Sequence, residues 1–358
     1  MDLQKASKLN LYLKVKKYMK KRIGLVYDLR SDYQALGYSE SDVAEFDFDG
    51  TIIAIQEAIE SLDYKTERIG NGWALANALV AGKRWDMVFT IAEGLYGRCR
   101  EAQVPALLEL YHISYTFSDP LVCAVTLDKA IAKKLIASEG LATPDFAVVR
   151  TPDDITNVNL DYPLFVKPLA EGTGKGIDQN SKIETPLQLA STCNDLLKKY
   201  KQPVLIEEFL SGQEFTVGIT GTGQNAKAIG TMEIEVIGKG VSSIYSYLNK
   251  EECDTRVRYS AFRESTKKME IEKLALRCYQ ILECRDGGRV DIRCDDKGKP
   301  YFLEVNPLAG LHPIHSDLPM IATQEGMSYK DLIGAILQSA FERAEEESKI
   351  YGKSPCIA

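Results

Sequence analysis

The chain has 358 residues, 45 % of them hydrophobic and 27 % charged, with a formal net charge of −7. That length suits two or three packed domains, and the composition is that of an ordinary soluble globular protein, whose scattered cysteines suit a cytoplasmic location. The acidic balance excludes general nucleic-acid binding, which needs a basic footprint, and no apolar run approaches the roughly 18 residues of a transmembrane segment. Eight cysteines without a C-x-x-C pair read as reduced thiols rather than a disulfide framework. Three histidines leave little for a histidine-built metal site.

Residues 1–22 form a basic N-terminal extension carrying Lys5, Lys8, Lys14, Lys16, Lys17, Lys20, Lys21 and Arg22, with no acid after Asp2. It lacks the apolar core and cleavage site of a secretory signal. A basic helix here could touch a membrane or serve as a transit peptide, but few arginines and serines favour a surface extension.

Arg22 to Tyr27 reads as an apolar strand, followed by a polar loop through Asp49. Thr51 to Leu62 has helical spacing at Ile52, Ile53, Ile55, Ala58 and Ile59. Asp86 to Ile91 is a second buried strand, Ala102 to Leu110 a helix, and Ser114 to Phe117 a third strand. Strands alternating with helices predict an open parallel α/β sheet that ends near Val125. The second strand runs into a glycine-bearing loop, Ala92 to Gln103. Ligands in such sheets bind beyond the carboxyl ends of strands. Arg98, Arg100 and Glu101 are therefore candidates for holding a zwitterionic or carboxylate substrate, and a mobile surface loop is the equal alternative.

Thr126 or Asp128 can cap a helix that places Lys129 in its first turn, where backbone N–H groups favour phosphate. An exposed lysine is the commoner fate of that residue type. Leu164 to Pro168 is an apolar strand carrying Lys167, which on such a strand more often snorkels at an end. Glu171-Gly172-Thr173-Gly174-Lys175-Gly176 follows. Its glycines let backbone N–H groups approach phosphate oxygens, as in a hairpin covering the β- and γ-phosphates. It is not a P-loop, because no Ser or Thr follows a lysine after the last glycine.

Val204 to Val217 reads as two strands joined by a tight Ser211-Gly212 turn. Glu207, Glu208, Phe209 and Leu210 can offer an adenine its backbone donor, acceptor and apolar walls, and Glu214 can hold ribose hydroxyls. An amphipathic hairpin with outward glutamates fits the same residues. Leu274 to Leu282 is helical, and Met327 to Glu346 is a long helix capped by Ser328.

Between these helices, Arg289 to Arg293 and Tyr301 to Asn306 alternate polar and apolar around a turn at Asp295 to Gly298, which predicts an antiparallel hairpin. Arg289 and Asp291 share one face, as do Glu304 and Asn306. If the faces coincide, two carboxylates, an amide oxygen and a guanidinium converge. Such hard oxygen ligands suit Mg²⁺ far better than Zn²⁺. A solvated hairpin edge is the alternative, but these polar residues sit among Val, Ile, Leu and Phe.

Asp128-Lys129, Val166-Lys-Pro168, Glu171 to Gly176, Glu207 to Val217, Arg289-Val-Asp291 and Glu304-Val-Asn306 occur in the order and spacing of the D-alanine–D-alanine ligase family of ATP-grasp enzymes. The resemblance covers roughly residues 84 to 335. It implies mixed α/β and α+β architecture: an N-terminal α/β substrate-side domain (23–125), a central ATP-grasp subdomain with a glycine-rich lid (126–225), and a C-terminal subdomain with the metal hairpin (226–358). It implies that Lys129 and Lys167 hold ATP phosphates, that Gly172 to Gly176 close over them, and that Asp291, Glu304 and Asn306 ligate two Mg²⁺ ions, with Mn²⁺ able to substitute. Arg289 and the backbone N–H of Gly310 would stabilise an oxyanion, with Lys250 as a further catalytic residue. Glu93, Arg98, Glu101 and Ser316 are the substrate-side candidates. The implied activity joins an amino-acid carboxylate, activated as an acyl phosphate, to the amine of a second amino acid; a homodimer is compatible with it.

The sequence departs from that family on the amino-acid side. A His-Gly loop reads Glu93-Gly94, the Lys-Tyr of a substrate-side loop reads Lys250-Glu251, and no acidic-serine motif follows Tyr27. D-alanine is then the default substrate, and a related ligase using another small acceptor, as in mycosporine biosynthesis, is the alternative. A silent ATP-binding protein would have lost a metal ligand or a phosphate lysine, and none is missing.

Overall fold

The computed structural model describes residues 20–237 and 256–351. Its first sheet is parallel, with β1 (Arg22–Val26) between β2 (Lys65–Gly70) and β3 (Met87–Thr90). The near-continuous apolar run of β1 is explained by cover on both faces. Ile23 and Leu25 pack with Met87 and Phe89 on one side, and Val26 with Val88 and Trp85 on the other. Helix α1 (Arg30–Ala35) lies within the stretch expected to be a loop, because Arg30 donates to the carbonyls of Phe46 (2.8 Å) and Ala44 (2.7 Å) and ties that segment down. Helix α2 (Asp49–Ser61) covers the first face with Ile52, Ile55 and Ile59. Helices α3 (Gly72–Val80) and α4 (Gln103–Leu110) cover the second with Leu75, Leu79, Val104 and Leu108. Burying each such side chain is worth about 2 kcal/mol.

β2 and α3 were not anticipated, since Lys65 to Gly70 is half-exposed and carries no clean alternation. The strand expected at Ser114 to Phe117 is a single parallel bridge between Val88 and Tyr115. Helix α5 (Pro120–Leu127) follows and contains Thr126, whose hydroxyl donates to Val122 O at 2.7 Å. Asp128 is therefore the cap of α6 (Lys129–Ser138), accepting from Ile131 N at 3.1 Å.

The second sheet is antiparallel, in the order β4 (Phe146–Val149), β7 (Val204–Glu208), β5 (Leu164–Pro168), β6 (Lys182–Ile183), backed by α7 (Pro186–Tyr200) through Leu189, Cys193 and Leu196. The third sheet runs β10 (Val257–Ala261), β9 (Lys227–Val236), β8 (Glu214–Thr220), β11 (Gly287–Cys294), β12 (Pro300–Asn306). The strands expected as one hairpin, β7 and β8, thus belong to different sheets. Gly212 makes the crossing: its N–H donates to Cys294 O at 2.9 Å, and a Cβ there would lie 2.3 Å from Asp295 O. The 225/226 division falls inside the third sheet, between β8 and β9.

Helix α8 (Ser265–Ile281) packs on the third sheet through Ile271, Ala275 and Cys278. Helix α9 (Asp317–Gln324) precedes α10 (Tyr329–Tyr351), whose first turn is capped by Ser328 accepting from Asp331 N at 3.1 Å. α10 returns to the first sheet with Leu332, Ile336 and Leu337. The six cysteines among the described residues are free thiols, and no described helix is long and apolar enough to cross a membrane.

Candidate active site

Strands β11 and β12 pair with Asp291 opposite Glu304 and Arg289 opposite Asn306, so the two polar faces coincide. Arg289 binds Asp291 directly, and its Nε lies 3.3 Å from Asp317 at the start of α9. Thr216 of β8 donates to Asp291 Oδ1 at 2.9 Å, and Asn306 Nδ2 to Oδ2 at 3.4 Å. Burial raises the pKa of Asp291 and the facing Glu304 raises it further, against the pull of Arg289. Among the described residues no three acidic, His or Cys side chains form a metal cage. Asp291, Glu304 and Asn306 nevertheless fit a divalent ion: they are hard oxygen donors on one face, and a cation would relieve two opposed carboxylates.

The lysines converge from two other elements. Lys129, first residue of α6, donates to Glu171 O at 2.6 Å and lies 3.6 Å from Glu304 Oε2. Lys167 of β5 lies 3.6 Å from that same oxygen and 3.0 Å from Glu207 Oε2. Lys133, one turn beyond Lys129, reaches Glu207 Oε1 at 2.5 Å and also donates to Thr143 Oγ1 (3.0 Å) and Phe302 O (3.3 Å). Burial works against the Glu207 anion, but Lys133 and Lys167 outweigh it and hold its carboxyl below the usual range. Burial also disfavours the charge on Lys167, yet Glu207 and Glu304 raise its pKa. For Lys133 burial wins over Glu207, and its pKa falls to about 8. The side chain of Glu207 is thereby occupied by two lysines.

A cleft of ≈ 760 Å³, partly open to solvent, lies between the second and third sheets. Phe165, Ile177, Phe209 and Leu210 supply apolar walls, with Glu208, Glu214, Lys167 and Asp291 among its polar lining. Glu214 pairs with Arg293 at 2.8 Å. The Gly172–Gly176 stretch is the connection of the antiparallel pair β5–β6. Gly176 has φ +81°, and a Cβ there would lie 2.5 Å from Pro168 Cγ, so a side chain is excluded. Lys175 pairs with Glu171 at 3.1 Å. Thr173 Oγ1 is buried with no hydrogen-bond partner among the described residues.

A second cleft of ≈ 690 Å³ includes Glu45, Glu93, Glu101, Asn306 and Gly310 in its lining. Both clefts are lined by Arg289 and Glu304, so they meet at the hairpin. Burial pushes the Glu101 carboxyl up to about 7, against the attraction of Arg100. Burial also raises Glu93 well above the usual range, and the neighbouring Glu101 adds to it. Gly94 has φ +69°, and its Cβ would lie 2.8 Å from Arg100 O, so only glycine permits this loop to fold so tightly. Arg98 points elsewhere, pairing at 2.6 Å with Asp128, the cap of α6. Ser316 accepts from His312 N at 2.9 Å, and neither Arg98 nor Ser316 lines these clefts. Lys250 lies outside the described residues. The sequence reading missed Lys133, Glu45, Thr216 and Asp317. Only Lys133 left a trace, by following Lys129 at helical spacing on a face that is otherwise apolar.

A family model described as the D-ala D-ala ligase C-terminus matches residues 135–338. The D-alanine–D-alanine ligase of Aquifex aeolicus is 33 % identical over 256 residues, covering 70 % of this chain and 81 % of that protein. Among solved structures, the D-alanine–D-alanine ligase of Bacillus anthracis complexed with ATP superposes with a TM-score of 0.70 at 23 % identity, over 92 % of this chain and 99 % of the other. The VanG D-Ala:D-Ser ligase of Enterococcus faecalis gives 0.70 at 20 % identity, over 90 % and 100 %. The structural likenesses establish the fold, and the sequence matches establish the family. The chain belongs to the D-alanine–D-alanine ligase family and is an ATP-dependent, ADP-forming ligase of the ATP-grasp fold.

Proposed function

We propose that this ligase joins the carboxylate of one small amino acid to the amine of another, with D-alanine the first substrate to try. The meeting of the two clefts at Arg289 and Glu304 supports this reading, because a nucleotide in one and an amino acid in the other would bring terminal phosphate and carboxylate together there. A free carboxylate resists amine attack, since its leaving group would be oxide. Transfer of the γ-phosphoryl group to it gives an acyl phosphate. The amine attacks that carbonyl, and the tetrahedral intermediate collapses to the amide with loss of phosphate.

The contribution of the protein is positioning and charge stabilisation. Lys129 and Lys167 flank the place where the phosphates pass, each 3.6 Å from Glu304. Arg289 and the Gly310 N–H would receive the negative oxygen of the tetrahedral intermediate. Phe209 and Leu210 would sandwich the base, and Glu214 would take the ribose hydroxyls. Asp291, Glu304 and Asn306 would hold two Mg²⁺ ions, or Mn²⁺ in their place, which when bound neutralise charge on the transferring phosphoryl group. The reading carries a cytoplasmic location and is compatible with a homodimer.

A second reading has one specific support. Glu93 stands where the family carries histidine, and it lines the substrate cleft beside Glu101. Extra acid there suits an acceptor other than D-alanine, such as the amine-bearing partners of mycosporine-type ligases. A panel of amino acids, with phosphate release and product mass measured together, separates the two. Release with D-alanine supports the first reading; silence with D-alanine and release with another acceptor removes it.

A further inference from the structure

The glycine-rich loop is fastened to the N-terminal domain by two residues outside the family's motifs. Arg100 sits in the short 3₁₀ turn Arg100–Ala102, and Glu45 in the segment between α1 and α2. Arg100 Nη2 donates to Glu45 Oε2 at 2.8 Å, while its Nη1 donates to Ala170 O at 2.9 Å. The other oxygen of Glu45 accepts the N–H of Gly172. The two side chains are only 11 % and 13 % exposed, so solvent screens the contacts little. Burial works against the charge of Arg100, but Glu45 holds its pKa above the ordinary value.

We infer that Arg100 is a positioning residue for the reaction: with Glu45 it clasps residues 170–172 and holds the glycine-rich loop down over the phosphate site. The guanidinium is suited to this because its fork reaches a carboxylate and a carbonyl at once, which a lysine ammonium does with poorer geometry. Gly172 completes the arrangement, since a Cβ there would lie 2.8 Å from Glu45 Oε1. Gly94 does so from beneath, admitting the Arg100 backbone at close range and donating to Asp28 at 3.0 Å. The clasp joins the wall of the substrate cleft to the cover of the nucleotide cleft. A loop so held excludes water, which would otherwise take the acyl phosphate to free carboxylate and phosphate.

The test uses the full chain with Arg100→Ala, Arg100→Lys and Glu45→Gln. Trypsin cleavage after Lys175 reports how firmly the loop is held and is timed with Mg²⁺ and a non-hydrolysable ATP analogue present. Cleavage at least fivefold faster in Arg100→Ala and Glu45→Gln is expected; rates within twofold of the parent in both overturn the proposal. Arg100→Lys keeps the charge and serves if the alanine variant does not fold, with the same expectation. Phosphate released per amide formed is then measured with whichever substrates the parent accepts. That ratio rises at least threefold if the clasp excludes water, and a ratio unchanged in all three variants overturns that role. This second measurement rests on the ligase reading above. A parent that releases no phosphate with any amino acid counts against that reading, while the cleavage rates still decide the clasp.

Discussion

Lys167 Nζ lies 3.0 Å from Glu207 Oε2, and the opposite oxygen of that carboxylate is taken by Lys133 at 2.5 Å. One buried anion thus orders two lysines from different elements, β5 and α6, and leaves Lys167 within 3.6 Å of Glu304. Removing one member of a buried charged group leaves the others incompletely compensated, which costs about 3 kcal/mol or more. Lys133→Met is expected to lower the urea midpoint accordingly while retaining measurable ATP turnover. Lys167→Met should lose a similar stability and also at least a hundredfold in kcat/KM for ATP. Equal kinetics in the two variants would contradict the separate roles.

Glu304 faces Asp291 across the hairpin and has Lys129 and Lys167 each 3.6 Å from one of its oxygens. Glu304→Gln keeps shape but removes the charge that a divalent cation needs, so turnover should fall by about a thousandfold or more. The melting temperature should stay within a few degrees, because the position is half-buried and the amide can still accept from a lysine. Phosphate-release kinetics across a Mg²⁺ titration, beside a thermal melt, check this. Retained turnover removes the metal role of this residue.

The hairpin could be read from sequence because its information is local: period-two alternation and a short turn fix which side chains share a face. The register Asp291 to Glu304 adds only the coincidence of the two faces. What stayed hidden was non-local. β7 and β8 are adjacent in sequence but enter different sheets, and nothing in Ser211-Gly212 distinguishes a hairpin from a crossing until Cys294 is seen behind it. Lys133 resembles any helix lysine until Glu207 approaches from another sheet. Glu45 lies in a segment without periodicity, and its partners are 55 and 127 residues away. Strand β2 escaped for another reason: it is half-exposed at the sheet edge, where burial imposes no pattern.

Glu93 and Glu101 both line the second cleft, beside Glu45, Lys129 and Asn306. If an arriving ammonium draws these carboxyls into their charged form, Glu93→Gln should raise KM for the amine-bearing substrate at least tenfold and leave KM for ATP within twofold. The first cleft, proposed above for the nucleotide, includes neither glutamate in its lining, which is why the two constants separate. A change confined to the ATP constant would place Glu93 outside substrate recognition. Initial rates with each substrate varied in turn supply the measurement.

Two carboxyls give the fold a pH dependence of definite sign. Burial pushes Asp47 up to about 7, against its hydrogen bond with Thr51 and the pull of Arg30. Glu101 reaches about 7 by burial as well, with Arg100 and Lys129 opposing and Glu45 adding to the rise. In the unfolded chain both titrate near about 4. Between pH 4 and 7 the folded protein therefore holds protons that the unfolded chain has released, and stability falls as pH rises through this window and levels off above it. Glu207 acts in the opposite sense: its depressed pKa contributes stability that is present above its unfolded value and is lost as pH falls through the folded one. Maximum stability is thus expected at about pH 4, where the two windows meet. Melting temperatures measured at half-unit steps from pH 3 to 9 should decline from about 4 to 7 and level off above. Asp47→Asn and Glu101→Gln cannot titrate, so each should flatten that decline, and the double variant more than either. A double variant with the slope of the parent protein would show that other groups set it.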